Sequence, residues 1–173
     1  MMMQHVRGPQ SLQARPVDAA PKFAWERFSK LARELLPLWQ RHWEEIALDQ
    51  DDIPLAPDFD SYYRLDTERL LHILTVRAQG DLVGYSFSIV GSHLHYVTTK
   101  TGHTELFWLA PEYRHGWTGF KLIKYTMRGL KQRGVKLHTV NFKLGFQSGR
   151  VGRLFKRLGY KPTDIVMRKL LGD

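Results

Sequence analysis

Two residues in this 173-residue chain stand where they could move a proton, His103 and Glu105. They sit two apart in a segment that continues into Leu106-Phe107-Trp108-Leu109, a run too short for a helix and rich in strand-favouring aromatics. Side chains on a strand repeat every two residues, so His103, Glu105, Phe107 and Leu109 are expected on one face. A carboxylate or imidazole there has the basicity to deprotonate an ammonium. Glu105 has an ordinary surface reading as well. Glu44 and Glu45 are adjacent on an expected helix and diverge, so at most one faces a cleft, and a solvated helix end is their plainer reading. His93-x-His95 has the spacing of a metal pair, but no third ligand accompanies it, and a surface pair at a strand end is the better reading. His42, alone on an amphipathic helix, is expected to be packed.

The stretch after the apolar run points to an anion. Pro111 stops the strand, and Arg114-His115-Gly116-Trp117-Thr118-Gly119 forms a polar, glycine-containing turn. Phe120, Ile123, Met127 and Leu130 then recur at helical spacing, which predicts a helix from about Thr118. A strand, a turn and a helix start in series expose backbone N–H groups at the positive end of the helix dipole, a usual seat for phosphate. An ordinary crossover unit shares this outline. The glycines lack the Lys-Ser/Thr of a nucleotide-hydrolase loop and the spacing of a dinucleotide fingerprint, and no serine sits in a nucleophile elbow.

Composition narrows the classes. The chain has no cysteine, which excludes disulfides, thiolate metal sites and a cysteine nucleophile. Its start has no apolar signal-like core and no run approaches bilayer-spanning length, so a soluble cytoplasmic protein is expected. The net charge of +9 is uneven: residues 114–173 carry 15 Lys/Arg against Asp164 and Asp173, a balance of +13, while residues 1–113 carry 11 Lys/Arg against 15 Asp/Glu, a balance of −4. A basic half suits a polyanionic cofactor and would equally suit nucleic acid.

Residues 1–21 read as a flexible tail with an edge strand at Leu12–Val17, and residues 22–173 as one domain. A long helix is expected over Phe23–Leu48, buried through Phe28, Leu31, Leu35, Leu38, Trp39 and Ile46, and kinked or divided at Pro37. Asp58 is placed to cap a short second helix. Leu70–Ala78 and Leu82–Val90 read as paired strands around Gln79-Gly80-Asp81, and Val135–Phe142 as another strand. Ser148 is placed to cap a helix ending at Gly159, and Ile165–Leu171 reads as a last strand. The fold class expected is α/β (α+β mixed sheet), a twisted sheet with antiparallel hairpins first and parallel crossovers after, flanked by helices.

Leu109-x-Pro111-x-Tyr113-Arg114-x-x-x-x-Gly119 resembles the acetyl-CoA motif of the GNAT superfamily of N-acetyltransferases. The element order, Leu82-Val83-Gly84 and the closing Leu158-Gly159-Tyr160 resemble the same family over residues 23–171. His42-Trp43-Glu44-Glu45, His93-Leu94-His95-Tyr96 and Pro111-Glu112-Tyr113-Arg114 are similar to a branch common in tailed-bacteriophage genomes, which would place the protein in a host cytoplasm. The resemblance implies acetyl-CoA as co-substrate, no metal, and direct attack by a primary amine. Backbone N–H groups of Arg114, His115, Gly116, Trp117, Thr118 and Gly119 would hold the pyrophosphate, with Leu109 and Ala110 beside the pantetheine and thioester. Glu105, His103 and Glu45 are the candidate bases, His103 falling where some histone-type relatives keep a glutamate. Two departures stand out: Trp117 replaces the family's first loop glycine, and Phe155 falls where many relatives carry a proton-donating tyrosine. Tyr125 or Tyr160 are the alternatives to Phe155. The acceptor is open among small amines, protein termini, lysines and modified bases. A nucleic-acid-associated module and a catalytically silent interaction protein are the competing readings, and a homodimer is left open.

Overall fold

The computed structural model describes residues 20–143 and 148–171. Five strands form one sheet in sequence order: β1 Lys22–Trp25, β2 Leu71–Ala78, β3 Asp81–His93, β4 Tyr96–Leu109 and β5 Leu137–Val140. Neighbours pair antiparallel up to β4, and β4 pairs parallel with β5. The helices are α1 Phe28–Ile46, α2 Phe59–Thr67, α3 Thr118–Gln132 and α4 Ser148–Arg157, with a 3₁₀ turn at Pro111–Tyr113. The α/β mixed sheet flanked by helices is as expected.

The helices segregate to two sides of the sheet. On one, Phe28 and Trp39 of α1 pack with Phe59 and Tyr62 of α2 against Phe87 of β3. Phe28 is fully buried, a burial worth about 1.5–3 kcal/mol. On the other, Leu122, Ile123 and Leu130 of α3 and Phe155 of α4 are buried. Gly102 of β4 faces this second side, where an added Cβ would lie 3.3 Å from both Leu130 and Val135, so α3 approaches the strand closely only because no side chain intervenes.

Two expectations need correction, and of the two outcomes expected at Pro37 the division does not occur. Phe23–Trp25 is not helical: β1 pairs with Arg77–Leu74, Thr75 Oγ1 donates to Ala24 O at 3.0 Å, and the helix starts after Arg27. Tertiary pairing overrides the helical pattern there. The helix α1 passes Pro37 undivided; Pro37 is exposed, so the Arg33 carbonyl it leaves unpaired lies on the water side. Ile165–Leu171 forms no strand. Ile165, Met167 and Leu171 are almost fully exposed, and Arg168 ties the segment to Leu48 O and Asp49 instead. Strand propensity without a pairing edge gives extended chain only. The strand expected at Leu12–Val17 lies outside the described residues.

The cap at Asp58 forms, accepting from Ser61 N at 2.9 Å, and Gly159, two residues after α4, adopts φ +87°. No helix among the described residues is long and apolar enough to cross a membrane.

Candidate active site

The site candidates gather at the end of β4. The ladder with β5 runs from Thr101–Leu137 to Thr104–Val140 and stops, so residues 105–109 continue beyond it. Ala110 N–H donates to Val83 O at 2.8 Å, toward β3. Backbone groups alternate along a strand, so the Leu109 N–H and C=O turn to the opposite edge, the one β5 leaves. Arg114 Nε reaches Leu109 O from that edge at 2.6 Å.

A bulge changes which side chains face where. Phe87 pairs with Leu106 but Ser88 pairs with Thr104, so Glu105 is the extra residue of β4. Beyond it the alternation is shifted by one. Phe107 meets Phe155 of α4, and Leu109 stands opposite Gly84 on the α3 side. Trp108 faces α1, stacking on Tyr85 and lying 6.2 Å from His42. Glu105 and His103 point to the α1–α2 side, where Glu105 lines a cavity with Tyr62 and Phe87. Simple alternation had put Glu105 and His103 on the face of Phe107 and Leu109; the bulge separates them. His103 Nε2 lies 3.4 Å from the Glu105 carboxylate.

Glu45 is engaged. Its carboxylate takes both terminal nitrogens of Arg114 at 2.5 Å and Trp108 Nε1 at 3.0 Å. The Arg114 bonds hold its pKa below the usual carboxylate range, aided by Trp108, which makes it a poor proton acceptor. Arg114 and Arg41 both lie against the Trp108 ring, at 5.9 and 5.3 Å. The Arg114 side chain thus fastens the loop to α1 and is turned away from any ligand on the loop. Glu44 contacts Gln40 at the exposed helix surface.

The turn itself is open. Gly116 adopts φ +61°, the left-handed conformation that favours glycine, while Trp117 at the helix N-cap has φ −103° and needs no glycine. The replacement at Trp117 therefore costs no backbone strain; the loop's special conformation sits one residue earlier. The first turn of α3 has no side-chain cap and no acidic residue, and its first intrahelical bond is Lys121 N to Trp117 O at 2.9 Å. The N–H groups of Thr118, Gly119 and Phe120 are thus left over by the helix. A Cβ at Gly119 would meet nothing within 4 Å. Trp117 is 67% exposed, edge-on to Phe120, with Lys124 Nζ 5.8 Å from the Phe120 ring. His115 is exposed beside them. Arg150 of α4 donates to Arg114 O at 2.9 Å and brings a cation to the loop. Sequence reading missed Arg150; its one signal was a basic residue two places after an expected helix start.

Phe155 is buried, stacked on Phe142 and edge-on to Phe107 and Tyr160. The Tyr160 hydroxyl bonds His138 Nδ1, His138 Nε2 bonds Thr104 Oγ1 at 2.7 Å, and Thr104 meets Ser88 at 2.8 Å. Burial pushes the Tyr160 hydroxyl up to about 12. Tyr125 is elsewhere, against Phe23 of β1. His42 is buried and bonds the Tyr85 hydroxyl at 2.9 Å. His93 and His95 sit exposed in a hairpin tip, and no group of three metal-capable side chains occurs among the described residues.

No protein-family model and no curated protein sequence matches the chain. Solved structures do match. A ribosomal-protein-alanine N-acetyltransferase from Brucella melitensis biovar Abortus superposes with a TM-score of 0.63 at 19% identity, covering 87% of this chain and 99% of its own. An aminoglycoside acetyltransferase from an uncultured soil metagenomic sample gives 0.69 at 14% identity, covering 89% and 100%. A predicted acetyltransferase from Clostridium acetobutylicum, solved with acetyl-CoA, gives 0.64 at 12% identity, covering 88% and 97%. The fold of this chain is that of the GNAT-type acetyltransferases.

Proposed function

We propose that this chain is an acetyl-CoA-dependent N-acetyltransferase whose acceptor, a primary amine, attacks the thioester directly. The observation that carries the reading is the meeting of the β4 edge that β5 leaves after Thr104, with the Leu109 N–H turned outward, and the uncapped start of α3. A pantetheine laid along residues 105–109 acts as an added strand. Its thioester oxygen then takes the Leu109 N–H as charge develops. The pyrophosphate fits the N–H groups of Thr118, Gly119 and Phe120 that the helix leaves over, with Arg150 as a nearby cation. A fold neighbour solved with acetyl-CoA supports the same co-substrate.

Glu105 takes the ammonium proton directly or through one water, with His103 beside it as the second candidate. Glu45 is a strut for Arg114 rather than a base. The free amine attacks the carbonyl carbon, the C–S bond breaks, and the departing thiolate takes one proton while the new amide nitrogen loses one. Burial pushes the Tyr160 hydroxyl up and His138 Nδ1 engages it, so the thiolate takes its proton from water. Calorimetric titration with acetyl-CoA tests the reading; an absence of binding at millimolar ligand would sink it.

A second reading, a chain that binds acetyl-CoA without transferring it, draws on the burial of Phe155 where related enzymes place an acid. Incubation of candidate amines with labelled acetyl-CoA, followed by mass spectrometry, separates the two.

A further inference from the structure

The bulge that turns Glu105 away from Leu109 delivers its carboxylate to a cavity of about 310 Å³ between α2 and β4. That volume lies at the low end of small-molecule pockets, ~300–1,000 Å³. Its walls are apolar: Tyr62 and Leu65 from α2, Phe87 and Ile89 from β3. Tyr62 and Phe87 meet edge to face with ring centroids 5.9 Å apart, a geometry that a further ring can extend.

The charge of the cavity has one sign. Among the described residues, Asp58 and Glu105 are the charged ones in its lining, and both are carboxylates. Asp58 accepts from the N–H and the hydroxyl of Ser61; Arg64, outside the lining, donates to the same hydroxyl at 3.2 Å and offsets part of that charge. Burial, with the Glu105 charge second, pushes the Tyr62 hydroxyl up to about 12, so it stays a neutral donor. Over residues 44–68, which lead into and form α2, the sequence carries nine carboxylates against Arg64 alone. Such a wall favours cations and repels phosphates.

We propose that the acceptor is a small organic cation, a primary ammonium carried on an apolar, ring-bearing body, seated in this cavity with the ammonium at Glu105. The proposal rests on the acetyl-transfer reading and names its substrate class. The ring packs on Tyr62, Leu65 and Phe87; the ammonium gives one proton to Glu105, directly or through water, and the freed nitrogen attacks the thioester beyond the strand edge. The nitrogen–acyl bond forms as the C–S bond breaks, the second nitrogen proton leaves to solvent, and CoA departs as the thiol. Sugar phosphates and nucleotides find no cation in the lining to meet them.

Phenethylamine is the probe. Its binding to the full chain is measured by NMR shifts without acetyl-CoA, and its acetylation by mass spectrometry with acetyl-CoA present. Asp58→Asn keeps an N-cap residue of equal quality and removes the charge; it is expected to weaken phenethylamine about three- to fivefold. Leu65→Arg is expected to abolish its binding while acetyl-CoA affinity is retained, which also shows that the variant folds. Glucosamine 6-phosphate and a short RNA are expected neither to bind there nor to compete. Phenethylamine binding indifferent to both substitutions, or acetylation of the sugar phosphate or RNA in preference, would overturn the proposal. Phenethylamine binding that depends on Asp58 in a chain that ignores acetyl-CoA would leave the cavity assignment standing and remove the transfer reading. Acetyl-CoA binding with phenethylamine excluded would do the reverse.

Discussion

The two sides of β4 are built from opposite materials. On the α1–α2 side the strand shows Glu105, Leu106 and Trp108 to an aromatic core and to a segment of carboxylates. On the α3–α4 side it shows Phe107 and Leu109, beside helices whose first two turns carry Arg150, Lys121 and Lys124. A single strand edge lies between them. On the proposed reading, the two reactants need not compete for one pocket: opposite fields would sort an anionic donor from a cationic acceptor before either touches the strand. Glu45 and Arg114 join the two sides, since their ion pair runs from α1 to the start of the loop.

The largest expected break in this comparison is chemical. Glu105→Gln keeps the shape and loses the basicity, and kcat is expected to fall ~10²–10⁴-fold while acetyl-CoA affinity holds. Steady-state kinetics beside calorimetry measure the split, and the acidic limb of the pH–rate profile disappears if Glu105 is the titrating group. Equal activity in the variant would move the base to His103.

Next comes the opposite side. Gly119→Asp adds a carboxylate to the first turn of α3, where there is open space and no acid. Helix stability is expected to rise by about 0.3–1 kcal/mol. Acetyl-CoA binding is expected to drop by ~10²-fold, since the same charge now repels phosphate. A rise in Tm with lost binding is the signature; unchanged binding places the cofactor elsewhere.

Glu45→Gln should disturb both sides modestly. It frees Arg114, so acetyl-CoA is expected to bind ~3–10-fold more weakly, with kcat nearly constant and a lower Tm. A collapse of kcat instead would make Glu45 the base.

Acid stability gives the gentlest test at neutral pH. His42, His72 and His138 are each pushed down to about 4, burial being the main cause. Near pH 6.5 and below the unfolded chain takes up protons that the folded chain refuses, so the stability these groups contribute is full above that pH and is lost as pH falls toward 4. Denaturant titrations at stepped pH should show stability rising with pH across that window, and less steeply in His138→Gln.

Much of this was legible in the sequence, and the exceptions share a cause. The start of α3 and the end of α4 are written in local signals: apolar residues at helical spacing after Thr118, and a glycine that takes positive φ at 159. Glu105 and His103 were legible as candidates. Their orientation was not, because alternation assumes an unbroken ladder and a bulge has no signature within one strand's own residues. The strand β1 was hidden for a similar reason: four residues become a strand only because Arg77–Leu74 lie beside them. Asp58 was read correctly as a cap, but its place in a cavity with Glu105 depends on contacts across 47 positions of chain, which no local pattern encodes.

The bulge is also a defect that cannot migrate. Moved toward the start of β4, it would invert the residues it passed and swing the side chain of His103 into the place where Gly102 now lets Leu130 and Val135 approach. Moved toward the end, it would exchange Phe107 with Trp108, drawing the indole out of its bond to Glu45 and a phenyl ring out of contact with Phe155. The strand is thus locked in phase from both directions, by an absent side chain before the bulge and by two mismatched rings after it. Inserting or deleting one residue between 102 and 107 should therefore behave as a frame error in three dimensions, abolishing the ordered fold, whereas an insertion at the hairpin tip near Leu94, 97% exposed, should pass unnoticed.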